Sequence, residues 1–173
     1  MIGGGGRPTN PTIYQYINLA NAKIQGLVAQ LEIKVGQRWT VQTGAAYLNG
    51  DSQSNGVSAP INSVQPFKAM LGLQYDASDW GGQATVLYSA AKDPSRIAQG
   101  RTSQFASSEY TVLDLGVYWK PSPNLTFNAN LNNVLDTKYW RWSDVSGLTE
   151  NSRIADAYTA AGRTVQVSMR YDF

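Results

Sequence analysis

The last ten residues, Thr164-Val165-Gln166-Val167-Ser168-Met169-Arg170-Tyr171-Asp172-Phe173, alternate without a break. Successive side chains of a strand point to opposite faces, so Val165, Val167, Met169, Tyr171 and Phe173 share one side, and Thr164, Gln166, Ser168, Arg170 and Asp172 share the other. The same period recurs upstream. Leu125, Phe127, Ala129 and Leu131 oppose Thr126, Asn128, Asn130 and Asn132, and Leu113, Leu115, Val117 and Trp119 oppose Asp114, Gly116, Tyr118 and Lys120. Further back, apolar sets stand at Ala84, Val86 and Tyr88, at Phe67, Ala69, Leu71, Leu73 and Tyr75, at Trp39, Val41, Ala45 and Tyr47, and at Leu27, Ala29, Leu31, Ile33 and Val35. The pattern predicts about seven strands, the first starting near Thr12, and almost no helix.

The connections alternate in length. Short ones fall at 36–37, 77–80 and 121–124, and long ones rich in Ser, Asn, Gly and Asp at 49–65, 92–107 and 140–161. Tight turns at one end and long polar loops at the other describe an antiparallel up-and-down meander.

Which face meets the core follows from the character of the polar faces. A small soluble barrel shows bulk water a surface dense in Lys and Glu. Here only 15% of residues are charged, and the polar faces carry Asn, Thr, Gln, Ser and Gly, which suits a wet, enclosed lumen. The apolar faces hold no charge. Trp39, Tyr75, Trp80, Trp119, Tyr171 and Phe173 cluster toward the short turns, and Tyr47, Tyr88 and Tyr110 toward the long loops. Two aromatic girdles flanking an aliphatic band are the surface a transmembrane β-barrel turns to lipid. The chain ends on a descending strand, so Phe173 is expected at the periplasmic interface of a bacterial outer membrane and the three long loops outside the cell.

Composition removes several function classes. With no cysteine there is neither a disulfide framework nor a thiolate metal site, and with no histidine the Ser-His and Cys-His hydrolases are excluded. A net charge of +2 gives no reason to expect a nucleic-acid partner. Mean hydropathy is −0.32, and no stretch approaches the roughly 18 apolar residues of a membrane helix. The glycine run Gly3-Gly4-Gly5-Gly6 has no strand before it and no helix after it, so it reads as a loop rather than a phosphate cradle. Two units follow: a Gly-rich lead-in over 1–11, leaving an extracellular loop, and barrel wall over 12–173.

Two stretches carry a family resemblance. N-L-A-N-A-K-I-Q-G-L-V-A-Q-L-E, from Asn18 to Glu32, resembles a strand in the last third of TonB-dependent outer-membrane receptors. L-N-N-V-L-D-T-K-Y-W-R-W-S-D-V-S-G-L, from Leu131 to Leu148, followed by Asp156-Ala157-Tyr158 and Ala161-Gly162-Arg163, resembles their haem and haemoglobin receptor branch. The N-N-V-L-D-x-K-Y part is common to the superfamily, and the Y-W-R-W-S-D-V continuation is narrower. The resemblance implies a C-terminal segment of a barrel of about 22 strands with a plugged lumen, and a protein that is a transporter rather than an enzyme. It implies as partners the lipid bilayer, the plug and earlier barrel strands absent from this chain, the barrel-assembly machinery, the TonB complex and a haem protein, with haem as transported ligand. The family's haem ligands are histidines outside this segment, so no cofactor is expected within it. Where the family's assembly signal has a glycine five residues before the terminal aromatic, this chain has Ser168, which predicts weaker recognition. Two other readings fit the alternation: a structural or adhesive β-protein closing its sheet by oligomerisation, and a soluble ligand-binding barrel.

Among single residues, Trp142 and Asp144 lie further into the last long loop than Tyr139 and Trp140 and are the expected ligand contacts. Trp140, beside Tyr139, serves as interfacial anchor or as contact. Tyr158 offers a phenolate, a known haem ligand type. Trp39, Trp80, Trp119, Tyr171 and Phe173 are the expected membrane girdle. Asp114, Lys120, Arg170 and Asp172 read as an inner-wall charge network, with no catalytic pair among them.

Overall fold

The computed structural model describes residues 21–54, 56–98, 100 and 102–173. The lead-in over 1–11 and the expected strand start at Thr12 lie outside the described residues. Among the described residues eight strands form one antiparallel sheet: β1 (Asn21–Val35), β2 (Trp39–Ser54), β3 (Val57–Pro60), β4 (Lys68–Asp76), β5 (Trp80–Ser89), β6 (Tyr110–Ser122), β7 (Leu125–Asn132) and β8 (Thr164–Tyr171). The order is β1-β2-β4-β5-β6-β7-β8, with β3 paired to the upper part of β2. Seven of these are the alternating segments of the sequence. β3 is the addition: it pairs Asp51 with Pro60 and Ser54 with Val57, inside a stretch expected to be loop. At four residues, Val57 to Pro60, it is too short for a two-residue pattern to stand out.

Register carries the alternation across the whole sheet. Val35 pairs with Trp39 and Trp39 with Tyr75; Ala84 with Leu115 and Leu115 with Leu131; Ala129 with Val167 and Leu131 with Val165. A slip of one residue at any pair would turn a strand's apolar set to the other side, and the register shifts only at the end of β6. A bulge between Trp119 and Ser122 absorbs the irregularity next to Pro121. The tight β1–β2 turn depends on Gly36, which sits at φ +67°, a region disfavoured for residues with a Cβ.

The apolar face has no second layer over it among the described residues. Val167 is 74% exposed, and Leu27, Leu71, Val117 and Met169 are each more than half exposed. On β1 the apolar run extends from Val35 to Leu27, whereas Gln25 and Lys23 continue the same face above it. That run is roughly 27 Å of strand at about 3.4 Å per residue, or about 20 Å of height at a tilt near 40°, close to the apolar band of membrane barrels. Thr43 interrupts the face, and its hydroxyl donates to the Met70 carbonyl at 3.1 Å, so no donor is left bare.

The buried residues lie elsewhere. One cluster joins Ile97, Trp142 and Val145, and a second joins Tyr110, Val112 and Tyr139 with Leu87 and Ala160 against it. Both sit at the long-loop end. Tyr110 corrects an expectation: it pairs with Ser89, on the face opposite Tyr88, and is 6% exposed. It therefore belongs under the last loop and not with Tyr47 and Tyr88 on the apolar face.

Candidate functional site in the long-loop cluster

The site begins where β7 ends. Asn133 and Asp136 both adopt left-handed backbone, at φ +49° and +53°, a conformation Asn and Asp tolerate better than most residues. The Asn133 amide donates to Asp114 Oδ1 at 2.7 Å, its Nδ2 donates to the carbonyls of Thr137 (2.9 Å) and Ala161 (3.2 Å), and its Oδ1 accepts from the Thr137 amide at 2.9 Å. Asp136 Oδ1 accepts from the Arg163 amide at 2.8 Å. A Cβ at Gly162 would come within 2.9 Å of that carboxylate oxygen, so the bond needs glycine there. Asn133 and Asp136 thus clamp both ends of the loop between β7 and β8.

Past the clamp the chain folds inward. Tyr139 stacks on Tyr110 with ring centroids 4.2 Å apart, and its carbonyl accepts from the Ala160 amide at 2.9 Å. A one-turn helix over Trp142–Val145 follows. Trp142 is 1% exposed and packs with Ile97 and Val145; its Nε1 donates to the Asn62 carbonyl at 2.6 Å, and Lys92 Nζ stands 4.9 Å over its ring. Asn62 is the hub of the cluster: its Oδ1 accepts from the Ala98 amide at 2.7 Å and its Nδ2 donates to Gln104 Oε1 at 3.4 Å. All three long connections are therefore bonded through one residue. Gln104 adds a bridge to Thr149.

Electrostatics reinforce this packing. Lys92 is buried and donates to the Val64 carbonyl at 2.8 Å. Burial pushes its ammonium below the ordinary value, Arg96 adds to the effect, and Asp93 opposes it. Arg96 pairs with Asp51 at 3.0 Å and donates to Asn49 and to the Gly50 carbonyl. A 320 Å³ pocket opens beside them, bounded by Tyr47, Phe67, Asp93 and Arg96 among others.

The sequence-derived residues separate by exposure. Asp144 and Tyr158 face solvent, Tyr158 at 42%. Trp140 is half-buried, donates Nε1 to the Ala155 carbonyl at 2.8 Å and meets Phe105 edge-on at 5.6 Å. Trp142 holds the loop from within, with its indole inaccessible for stacking on a ligand. Trp39, Trp80, Trp119, Tyr171 and Phe173 gather at the short-turn end: Trp39 meets Tyr75 at 4.8 Å, Tyr75 meets Trp80 at 5.0 Å, Trp80 pairs in register with Trp119, and Tyr171 meets Phe173 at 5.1 Å. On the polar face Asp114 caps the Asn133 amide, Lys120 lies over the Tyr118 ring at 4.9 Å, and Arg170 pairs with Asp172 at 2.9 Å. Among the described residues no group of acidic side chains could hold a metal ion. Asn62 and Lys92 escaped the sequence reading and Tyr110 was assigned to the wrong face, since nothing in their local pattern marks them as loop core. The N-N-V-L-D-x-K-Y stretch was visible, but its mechanical role as a clamp was not.

Residues 2–134 match the family described as TonB dependent receptor-like, beta-barrel. The chain belongs to this family. A probable hemoglobin and hemoglobin-haptoglobin-binding protein of Haemophilus influenzae is 25% identical over 180 residues, covering 93% of this chain and 18% of that protein. A hemoglobin-haptoglobin utilization protein B of Neisseria meningitidis is 30% identical over 129 residues, covering 68% of this chain and 16% of the relative. Among solved structures, the copper transporter OprC superposes with a TM-score of 0.71 at 22% identity, over 88% of this chain and 23% of that one. The ferric enterobactin receptor of Pseudomonas aeruginosa gives 0.65 at 20% identity, over 90% and 23%. The structural likeness is one of fold. The chain spans less than a fifth of the length of these curated relatives, and its sheet is a piece of a larger TonB-dependent receptor barrel.

Proposed function

We propose that the chain is the C-terminal wall of an outer-membrane receptor that takes up haem, or iron from a haem protein, with 12–173 forming barrel and 1–11 leading in from an extracellular loop. The apolar face meets lipid, with Trp39, Trp80, Trp119, Tyr171 and Phe173 as the periplasmic girdle, and the polar face lines a lumen occupied by a plug supplied elsewhere in the receptor. The barrel-assembly machinery inserts it and the TonB complex energises it through the N-terminal part. The protein is a transporter and no catalysis is assigned to it. The haemoglobin-binding names of the relatives support the cargo.

The observation that carries this reading is the cross-bonded loop cluster, a rigid platform at one end of an otherwise uncovered apolar sheet. Asp144, Tyr158 and the open edge of Trp140 are its ligand contacts, and Trp142 positions them. In the receptor containing this segment, Asp144→Ala with Tyr158→Ala should weaken haemoglobin binding by about 1–3 kcal/mol while the loops stay intact. Trp142→Ala should cost about 3–5 kcal/mol of packing and expose 92–107 to protease, and Trp119→Ala should leave binding unchanged. Tyr158→Phe reports on the phenolate: an unchanged visible spectrum of bound haem makes Tyr158 a contact and not an iron ligand. Full haemoglobin affinity in the Asp144, Tyr158 double variant would remove this loop from the cargo site.

A further inference from the structure

We infer that the groove beside the short-turn aromatics seats one glycerophospholipid of the periplasmic leaflet, with an acyl chain along β5 and its phosphate on Arg38; this rests on the outer-membrane reading above. The groove is a feature of side-chain size. On the apolar face Gly82 lies opposite Tyr75 and Ala84 opposite Leu73, so two small residues sink the surface of β5. Trp39, Tyr75 and Trp80 wall it at the short-turn end, and the space between measures 460 Å³, within the range of small-molecule sites. Leu73 and Gln83 complete a lining that is mainly apolar.

The charge at its mouth selects the occupant. Arg38 is exposed, and its Nη1 donates to the Tyr75 hydroxyl at 3.2 Å, which ties the guanidinium to the apolar side of the sheet. Its carbonyl accepts from the Asp76 amide at 2.8 Å, anchoring the turn. The nearby carboxylates are engaged elsewhere: Asp76 accepts from Tyr118 and Gln74, and Asp79 from Ser78. Among the described residues Arg38 makes no ion pair, so most of its five donors remain for a phosphate, the geometry guanidinium groups favour. A hydrocarbon or detergent tail would fill the groove but leave this cation unanswered.

The test uses the receptor containing this segment, purified from outer membranes, delipidated, and titrated with phosphatidylglycerol or with diacylglycerol of the same chains under native mass spectrometry. One phosphatidylglycerol should bind ahead of the rest. Arg38→Gln should lower that first affinity about ten-fold, the loss of one charge-assisted hydrogen bond, and leave diacylglycerol unchanged. Ala84→Phe, which fills the groove without adding polarity, should lower both. Lys34→Gln, on the opposite face of β1 by register, should alter neither. A first-lipid affinity indifferent to Arg38→Gln and Ala84→Phe overturns the site, as does a wild-type receptor on which no phosphatidylglycerol binds ahead of the rest. If Ala84→Phe fails to fold, by loss of the heat-modifiable band, the Arg38→Gln comparison of the two lipids decides alone. Recovery of the wild-type receptor as a soluble periplasmic protein would instead overturn the membrane reading.

Discussion

Asn133 concentrates more structure than any other side chain at the long-loop end. It is buried, left-handed, and bonded to Asp114, Thr137 and Ala161. Replacement by alanine keeps the unfavourable backbone and removes three side-chain bonds, to the Thr137 amide and to the Thr137 and Ala161 carbonyls, so Asn133→Ala should cost about 2–4 kcal/mol of loop stability. Asn133→Gly relieves the backbone and should recover about 1 kcal/mol of that; hydrogen exchange over 133–163 measures both. Lys92 gives a pH signature. Burial lowers its folded-state pKa below the ordinary 10.5, so between the two values the unfolded loop holds more protons than the folded one. Stability of the cluster therefore rises with pH through that alkaline window and levels off above 10.5. Asp93, whose pKa is lowered by its bonds to Ser95, is already ionised there and does not mask the trend. Protection of 92–107 should rise with pH in the wild type and stay flat in Lys92→Met.

At the scale of elements, the facing of each strand sets its tolerance. Leu71 lies on the apolar face and is paired with Thr43 and Val86, whereas Gln74, paired with Thr40 and Gln83, lies on the other. Leu71→Arg should cost about 2–4 kcal/mol if that face meets the bilayer near its midplane, and Gln74→Arg should cost little. Urea unfolding of the receptor in lipid vesicles measures the difference, and equal costs would refute the facing. The polar face makes its own ladder of pairs, Gln42 to Glu32 at 3.0 Å and Gln74 to Asp76 at 2.7 Å among them, which satisfies amides and carboxylates without full charges in excess.

Among the described residues the molecule has one sheet, two open edges and no layer against its apolar side. β1 has β2 as its neighbour and β8 has β7, each on one side. Unpaired edges and a broad apolar surface both drive association. The isolated chain should accordingly aggregate in water and need detergent to stay dispersed, as light scattering can show. A monodisperse monomer in plain buffer would contradict the lipid-facing assignment and revive the soluble-barrel reading.

Period, the split into one apolar and one polar face, and the strict alternation of short and long connections were legible in the sequence, because a strand with two unlike faces imposes a two-residue pattern that needs no knowledge of its neighbours. The family was legible through the stretches 18–32 and 131–148 for the same local reason: residues 21–32 lie in one strand and 133–137 in one turn, and the chemistry of each is mostly its own. The long loops were not. Their packing depends on contacts between residues far apart in the chain, such as Trp142 with Asn62 and Lys92 with Val64, and no local pattern records such a pairing. Burial of Trp142, the inward turn of Tyr110 and the hub at Asn62 were decided by tertiary structure, where the free energy of ordering a loop is offset only once all three connections meet.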